Sequence, residues 1–136
     1  MTETDVTPVL DGTVEQPPLP PGTEALAGLV PATLAGLPPT AQAFFAVVNA
    51  NGTLARGFQA LSATSLGVGV YQVLFSHDIT GSAYIGTIGL SGSLGSSPPG
   101  QIAVVGRAGA PNGVFVQTFN AAGAPANLGF HLAVLS

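Results

Sequence analysis

The sequence predicts an all-β protein, an antiparallel β-sandwich of seven or eight short strands preceded by an extended proline-rich arm. Three observations support this fold class. Short apolar runs recur from about residue 43 to the end, turn signals with glycine, proline or asparagine separate them, and the first 24 residues are acidic and rich in proline. The chain divides into an arm (1–24), an apolar segment (25–42) and a β-sandwich domain (43–136).

The arm holds five of the six carboxylates and ends in Glu-Gln-Pro-Pro-Leu-Pro-Pro-Gly. Such a segment cannot bury enough apolar surface to fold alone, so we expect it to be extended, with polyproline II character around Pro17 to Pro21. Two interpretations stay open at this point. The arm is either a disordered tail or a segment that becomes ordered against a neighbour.

The apolar segment, residues 25–42, contains Leu-Ala-Gly-Leu twice, and a proline follows each copy. Two leucines three residues apart meet on one side of a helical turn, and proline disfavours helix at the residue before it. The sequence therefore predicts two short turns that dock through their leucines, either on their own domain or, as we prefer, on another subunit. The predicted docking residues are Leu26, Leu29, Leu34 and Leu37.

The β-sandwich domain begins with a predicted strand over 44–49, followed by Asn51-Gly52, a strong hairpin signal because both residues tolerate positive φ. Residues 53–64 predict one or two strands, with the break near Gly57. The remaining strands are predicted over 68–76, 83–90, 101–107, 113–119 and 129–136. Short strands with regular turns are typical of a sandwich with a jelly-roll (TNF-like) or immunoglobulin-like arrangement, or of a barrel.

Most predicted strands are apolar on both faces, whereas a two-layer sandwich covers only the inner face of each sheet. Only 6% of the residues are charged and there is no lysine, so a free monomer would have little to oppose association. We therefore expect a closed homo-oligomer, with a trimer packed sheet face to sheet face as the first choice. The interface candidates are Arg56, Arg107, Val70, Leu74, Phe115 and Phe119.

The two arginines are the only Lys or Arg residues, and we expect each to make a salt bridge or to anchor an interface. A net charge of −4 without a basic patch argues against nucleic-acid binding. Asp78 is the one carboxylate after residue 24, and there is no cysteine, so neither an enzyme, a metal site nor a cofactor is expected. A minor hypothesis is a shallow groove for surface glycans at Tyr71, Tyr84, Asn112 and Gln117.

Prolines and polar residues interrupt the apolar stretches, so the sequence does not predict a transmembrane segment. The acidic N-terminus lacks the basic and apolar regions of a signal peptide, and synthesis in the cytoplasm is expected.

Three stretches carry a resemblance to known proteins: GVYQVLF (69–75), AYIGTIG (83–89) and the long run over 106–134 that begins GRAGAPNGVFVQTFN. They resemble the β-rich C-terminal domains of uncharacterised bacterial proteins and are similar to phage tail-fibre and head-decoration proteins. The resemblance implies a structural role, usually as a trimer, on a virion or an extracellular filament. It also implies that the N-terminal arm attaches the subunit to a larger assembly such as a capsid. The alternative that it implies is a glycan- or receptor-binding module of a fibre tip.

Overall fold

The chain forms a β-sandwich of eight strands in a computed structural model that describes residues 15–23, 25 and 43–135. This confirms the predicted fold class. The strands are β1 (Ala43–Val48), β2 (Leu54–Phe58), β3 (Ala60–Gly67), β4 (Val70–Phe75), β5 (Ala83–Ile88), β6 (Gly100–Gly106), β7 (Gly113–Asn120) and β8 (Phe130–Leu135).

Two antiparallel sheets of four strands make up the sandwich. The first sheet has the strand order β2-β1-β8-β5, and the second has the order β3-β4-β7-β6. Three hairpins, β1-β2, β3-β4 and β6-β7, stay within a sheet, while the other connections cross from one sheet to the other. Because both central strands of each sheet have two neighbours, β1, β8, β4 and β7 form the middle of the molecule.

The β1-β2 hairpin lies where the Asn-Gly signal predicts it. The Gly52 amide donates to the Asn49 carbonyl at 2.8 Å, and Gly52 has a φ of 92°, a conformation that glycine adopts without strain. The Asn51 side chain accepts from both the amide and the hydroxyl of Thr53. These bonds fix the turn and thereby the register of the first two strands.

The break between β2 and β3 falls at Gln59, two residues beyond Gly57, near which the sequence predicted it. Gly57 itself lies inside β2, where a side-chain carbon would lie 2.7 Å from the Phe45 carbonyl oxygen of the paired strand, so only glycine fits. Gln59 instead has a positive φ of 61°. Ser76 holds it there, since its amide donates to the Gln59 carbonyl at 2.9 Å and its hydroxyl to Gln59 Oε1 at 2.7 Å. A single residue thus carries the chain from one sheet to the other.

The core lies between the two sheets and follows the predicted alternation along the strands. The inward residues of β4 and β8 are fully buried: Tyr71, Val73 and Phe75 from β4, and Phe130, Leu132 and Val134 from β8. The rings of Tyr71 and Phe130 meet edge to face at 5.2 Å, and the Tyr71 hydroxyl donates to the Ala50 carbonyl at 2.7 Å. This hydrogen bond gives the one polar atom of that ring a partner, as burial requires.

A pair of valine substitutions tests the assignment of inner and outer residues. Val134 is 0% exposed in the core, whereas Val68 is 62% exposed at the β3-β4 turn. Val134→Ala removes buried methyl groups and leaves a cavity, so we expect a loss of about 2 kcal/mol or more in the free energy of unfolding. Val68→Ala should change it by about 0.5 kcal/mol or less. Urea denaturation of both variants measures this, and equal losses would contradict the assignment.

Candidate functional site

Residues 16–23 of the arm cross the outer face of the second sheet. At one end, the Gln16 side chain is bound where β6 ends, at Gly106 and Ala108. At the other end, Gln72 Nε2 in the middle of β4 donates to the Thr23 hydroxyl at 3.3 Å. Because β6 and β4 are separated by β7 in the sheet, the arm runs across the strands rather than along them.

Arg107 is the main contact between the arm and the sheet. It is 4% exposed, and each nitrogen of its guanidinium donates a hydrogen bond. Nε donates to Gln72 Oε1 at 2.8 Å, Nη1 to Gln16 Oε1 at 3.1 Å and to the Pro17 carbonyl at 2.7 Å, and Nη2 to the Pro18 carbonyl at 3.1 Å. Three of these four acceptors belong to the arm, so burial of this cation depends on the arm.

Among the described residues, the acceptors around Arg107 are all neutral and include no carboxylate. Of the two expected roles, a salt bridge or an interface anchor, the described part of the chain shows no salt bridge, and amide and carbonyl oxygens bind the guanidinium instead. The guanidinium also lies over the Phe115 ring, 5.7 Å from its centroid, where the electron-rich face attracts a cation. Burial lowers the pKa of Arg107 from its usual value, but a guanidinium stays protonated in proteins. The site is thus cationic and suited to uncharged acceptors.

Gln16 is recognised through both atoms of its primary amide. Oε1 accepts from the Ala108 amide at 2.6 Å and from Arg107, while Nε2 donates to the Gly106 carbonyl at 2.8 Å. A glutamate could not donate to that carbonyl, so the site distinguishes Gln from Glu at this position. We define the arm site as Gln72, Phe115 and Gly106–Gly109. Beside Gln16, Leu19 packs on Gly109, where a side-chain carbon would lie 3.1 Å from Leu19 Cδ1.

The outer face of the first sheet has no such cover from the described residues. Phe45 on β1, Ala133 on β8 and Ile85 on β5 are direct cross-strand partners and form one apolar row. Leu135 lies two residues beyond Ala133 on the same face of β8. Phe45 is 43%, Ile85 57% and Leu135 42% exposed. We call these four residues the open face, and a groove of about 440 Å³ runs over its apolar row.

A row that includes polar residues bounds the open face on one side. Arg56, Val47, His131 and Thr87 are cross-strand partners in the next row. Arg56 Nη1 donates to the Ser91 carbonyl at 2.7 Å, and His131 Nε2 bonds the Leu90 carbonyl at 2.9 Å. Because a carbonyl can only accept, Nε2 of His131 carries the proton in this bond. These two bonds hold the loop after β5 against the polar side chains.

Five of the six interface candidates lie on the outer face of the second sheet, and Arg56 is exposed on the first sheet. Arg107, Leu74 and Phe115 are buried there within a single chain, where Arg107 and Leu74 adjoin arm residues. Val70 and Phe119 are half-buried on the same face, because each lies an even number of residues from the pair Gln72 and Phe115. The predicted docking residues Leu26, Leu29, Leu34 and Leu37 lie outside the described residues.

The four glycan candidates are not brought together either. Tyr71 is in the core, and Asn112 is fully buried, with its Nδ2 donating to the Phe75 carbonyl at 2.8 Å. Tyr84 is half-buried against the core, and its hydroxyl donates to the Ile79 carbonyl. Gln117 lies half-buried on β7. These four side chains do not line a shared groove, because two of them are fully buried and the other two are half-buried.

His77 and Asp78 occupy the start of the β4-β5 connection. The Asp78 carboxylate accepts from the amide and hydroxyl of Thr80, and these bonds hold the pKa of Asp78 below its usual value. His77 Nδ1 is 2.8 Å from the Ser76 hydroxyl. Among the described residues, no group of three or more His, Cys, Asp or Glu side chains lies close enough to hold a metal ion. Asp78 thus stabilises the turn after β4 through its hydrogen bonds to Thr80.

The described part of the chain contains no helix long and apolar enough to cross a membrane. No protein-family model matches the chain, and no curated protein or solved structure matches it significantly. The two outer sheet faces are therefore the features from which a function can be proposed.

The sequence did not assign Gln16 to any site, and it did not assign Gln72 to a contact with the arm. One signal was present for Gln72, which is a polar residue on the outer face of an otherwise apolar strand. Gln16 had a weaker signal, since it directly precedes the run Pro-Pro-Leu-Pro-Pro. Neither position could be paired with Arg107 without the three-dimensional structure.

The two arginines offer a matched test of the arm contact. Arg107→Ala removes four hydrogen bonds between the guanidinium and its acceptors, whereas Arg56→Ala removes a bond on the other sheet. A hydrogen bond to a charged group contributes about 1.5–3 kcal/mol. Loss of one such bond therefore raises the fraction of molecules whose arm is released from the sheet by about tenfold or more. We expect a glutamate-specific protease to cleave the Glu15–Gln16 bond faster by at least that factor in Arg107→Ala, and unchanged in Arg56→Ala. Equal rates in all three proteins would contradict the assigned contact.

Proposed function

We propose that this protein is a non-enzymatic structural subunit that assembles with copies of itself through the open face. The observation that carries the proposal is the exposed apolar row across the first sheet, formed by Phe45, Ala133 and Ile85. Contiguous exposed apolar surface of this kind marks an interaction site. The proposed partner is a second copy, because two apolar faces with few charges can pack against each other without charge repulsion.

The energetics favour such an association. Burying a fully exposed Leu, Ile or Phe side chain contributes about 1.5–3 kcal/mol, so a half-exposed one contributes about 1 kcal/mol. Phe45, Ile85 and Leu135 are exposed by roughly half on each copy, and several copies add their contributions. The low charge of the chain adds no strong repulsion, since after residue 24 it has two arginines and one aspartate.

Closed symmetry is the usual outcome for such subunits, and we propose a trimer with the open faces inside. The resemblance to phage tail-fibre and head-decoration proteins supports a place on a virion or extracellular filament. In this proposal the N-terminal part of the chain attaches the subunit to the larger assembly. The acidic and proline-rich composition of residues 1–24 supports an attachment role, because such segments order themselves on partners.

A charge placed on the open face tests self-association. Ile85→Glu puts a carboxylate in the apolar row, so its burial between copies would leave an unpaired charge. We expect the wild-type protein to sediment as an oligomer at micromolar concentration and Ile85→Glu to sediment as a monomer with an unchanged β-sheet circular dichroism spectrum. Val68→Glu, at an exposed turn, is the matched control and should remain oligomeric. A wild-type monomer at this concentration would overturn the proposal.

A further inference from the structure

The arm site recognises a specific peptide sequence rather than a generic extended chain. The amide of Gln16 makes three hydrogen bonds, the carbonyls of Pro17 and Pro18 accept from Arg107, and Leu19 packs on Gly109. The side-chain contacts select Gln at the first position and Leu at the fourth, whereas Arg107 binds the two intervening backbone carbonyls, which any residue would present. A proline-rich peptide loses little conformational entropy on binding because proline already restricts its backbone, and this favours recognition of such a sequence.

Every one of these contacts belongs to residues 16–19 and to the sheet, so the site does not depend on how the peptide is joined to the domain. Seventeen residues separate Ala25 from Ala43, where β1 begins. A stretch of that length spans up to about 60 Å when extended. A domain of this size has a radius of gyration of about 12 Å. The connection is therefore long enough for an arm to reach a neighbouring copy.

We propose that the arm site takes the Gln16–Thr23 segment of a second copy, so that copies exchange arms within the assembly. Each chain carries one such segment and one such site, which makes the exchange self-matching. The same hydrogen bonds form within one chain and between chains, so exchange loses none of them. This inference rests on the proposed self-association, because copies held together by their open faces keep an arm and a neighbouring site at high local concentration.

The two faces have separate roles in this arrangement. The open face lies on the first sheet and the arm site on the second, at opposite sides of the sandwich. Packing of the open faces therefore leaves every arm site accessible from outside. Arms passed from each copy to the next around the ring would tie together subunits that the open faces bring into contact.

Engineered cysteines test the exchange cleanly, because the chain has no cysteine of its own. One full-length chain carries Leu19→Cys and a second carries Gly109→Cys, at positions that are in contact in the structure. After mixing, incubation and mild oxidation, intact-mass measurement separates the heterodimer from the two homodimers. Random pairing of equal amounts of the two chains would give as much heterodimer as both homodimers together, and arm exchange predicts a clear excess of heterodimer over that amount. Adding Arg107→Ala to the Gly109→Cys chain should reduce the heterodimer to the amount that random pairing gives.

Two further variants keep the result interpretable. Gly109 has a φ of 84°, so a cysteine at this position is strained. Ala108→Cys, at the neighbouring exposed position, therefore provides a second disulfide partner for the Leu19→Cys chain. A chain with both Leu19→Cys and Gly109→Cys reports the opposite case, a disulfide closed within one chain. If the double-cysteine chain closes its disulfide within one chain and the mixture gives no heterodimer, arm exchange is overturned. It is also overturned if neither the intrachain disulfide nor the heterodimer forms.

Sedimentation of the same unoxidised mixture separates this inference from the proposed function. Oligomers that give no heterodimer would overturn arm exchange and leave self-association through the open face intact. Monomers at micromolar concentration would overturn both. Oligomers that give the Arg107-dependent heterodimer would support both.

Discussion

The burial of one positive charge organises the second sheet. Removing a cation from water is costly unless its donors are satisfied, and the Arg107 guanidinium meets this requirement with neutral oxygens. Most of those oxygens come from a proline-rich peptide, which supplies carbonyls without competing backbone donors of its own, since proline lacks an amide hydrogen. A carboxylate partner would have neutralised the charge, which the neutral oxygens do not, but a single carboxylate would have held the peptide at one residue only. Several carbonyls in a row instead fix the direction of the peptide.

The two sheets of the sandwich meet the problem of an apolar outer face in different ways. Part of the second sheet is covered by the chain's own arm, so Leu74 and Phe115 are buried although they point away from the core. The first sheet keeps Phe45, Ile85 and Leu135 partly in water. The cover on the second sheet is only partial, because Val105, the cross-strand partner of Phe115, is 53% exposed on the same outer face. A symmetric sandwich with two open faces would tend towards unlimited stacking.

The sequence predicted the sandwich well because its information is local. Alternation in β4 and β8 places Tyr71 and Phe130 inward, and Asn51-Gly52 places the first hairpin. The break predicted near Gly57 falls two residues later, at Gln59, because Gly57 serves a close approach to β1 and not the turn itself. The arm site was beyond reach for a different reason. Gln16 and Arg107 are 91 residues apart, and no periodicity or turn signal connects positions at that distance.

The joint at Gln59 has a mechanical consequence. One residue links β2 in the first sheet to β3 in the second, and Ser76 donates hydrogen bonds to both its backbone carbonyl and its side chain. Because only one residue separates the two strands, β2 cannot change its pairing register with β1 unless β3 changes its register with β4 at the same time. A slip by one position would turn an entire strand over and exchange its two faces. The joint therefore couples the alignment of the first sheet to that of the second, in addition to the turn that sets the register of β1 and β2.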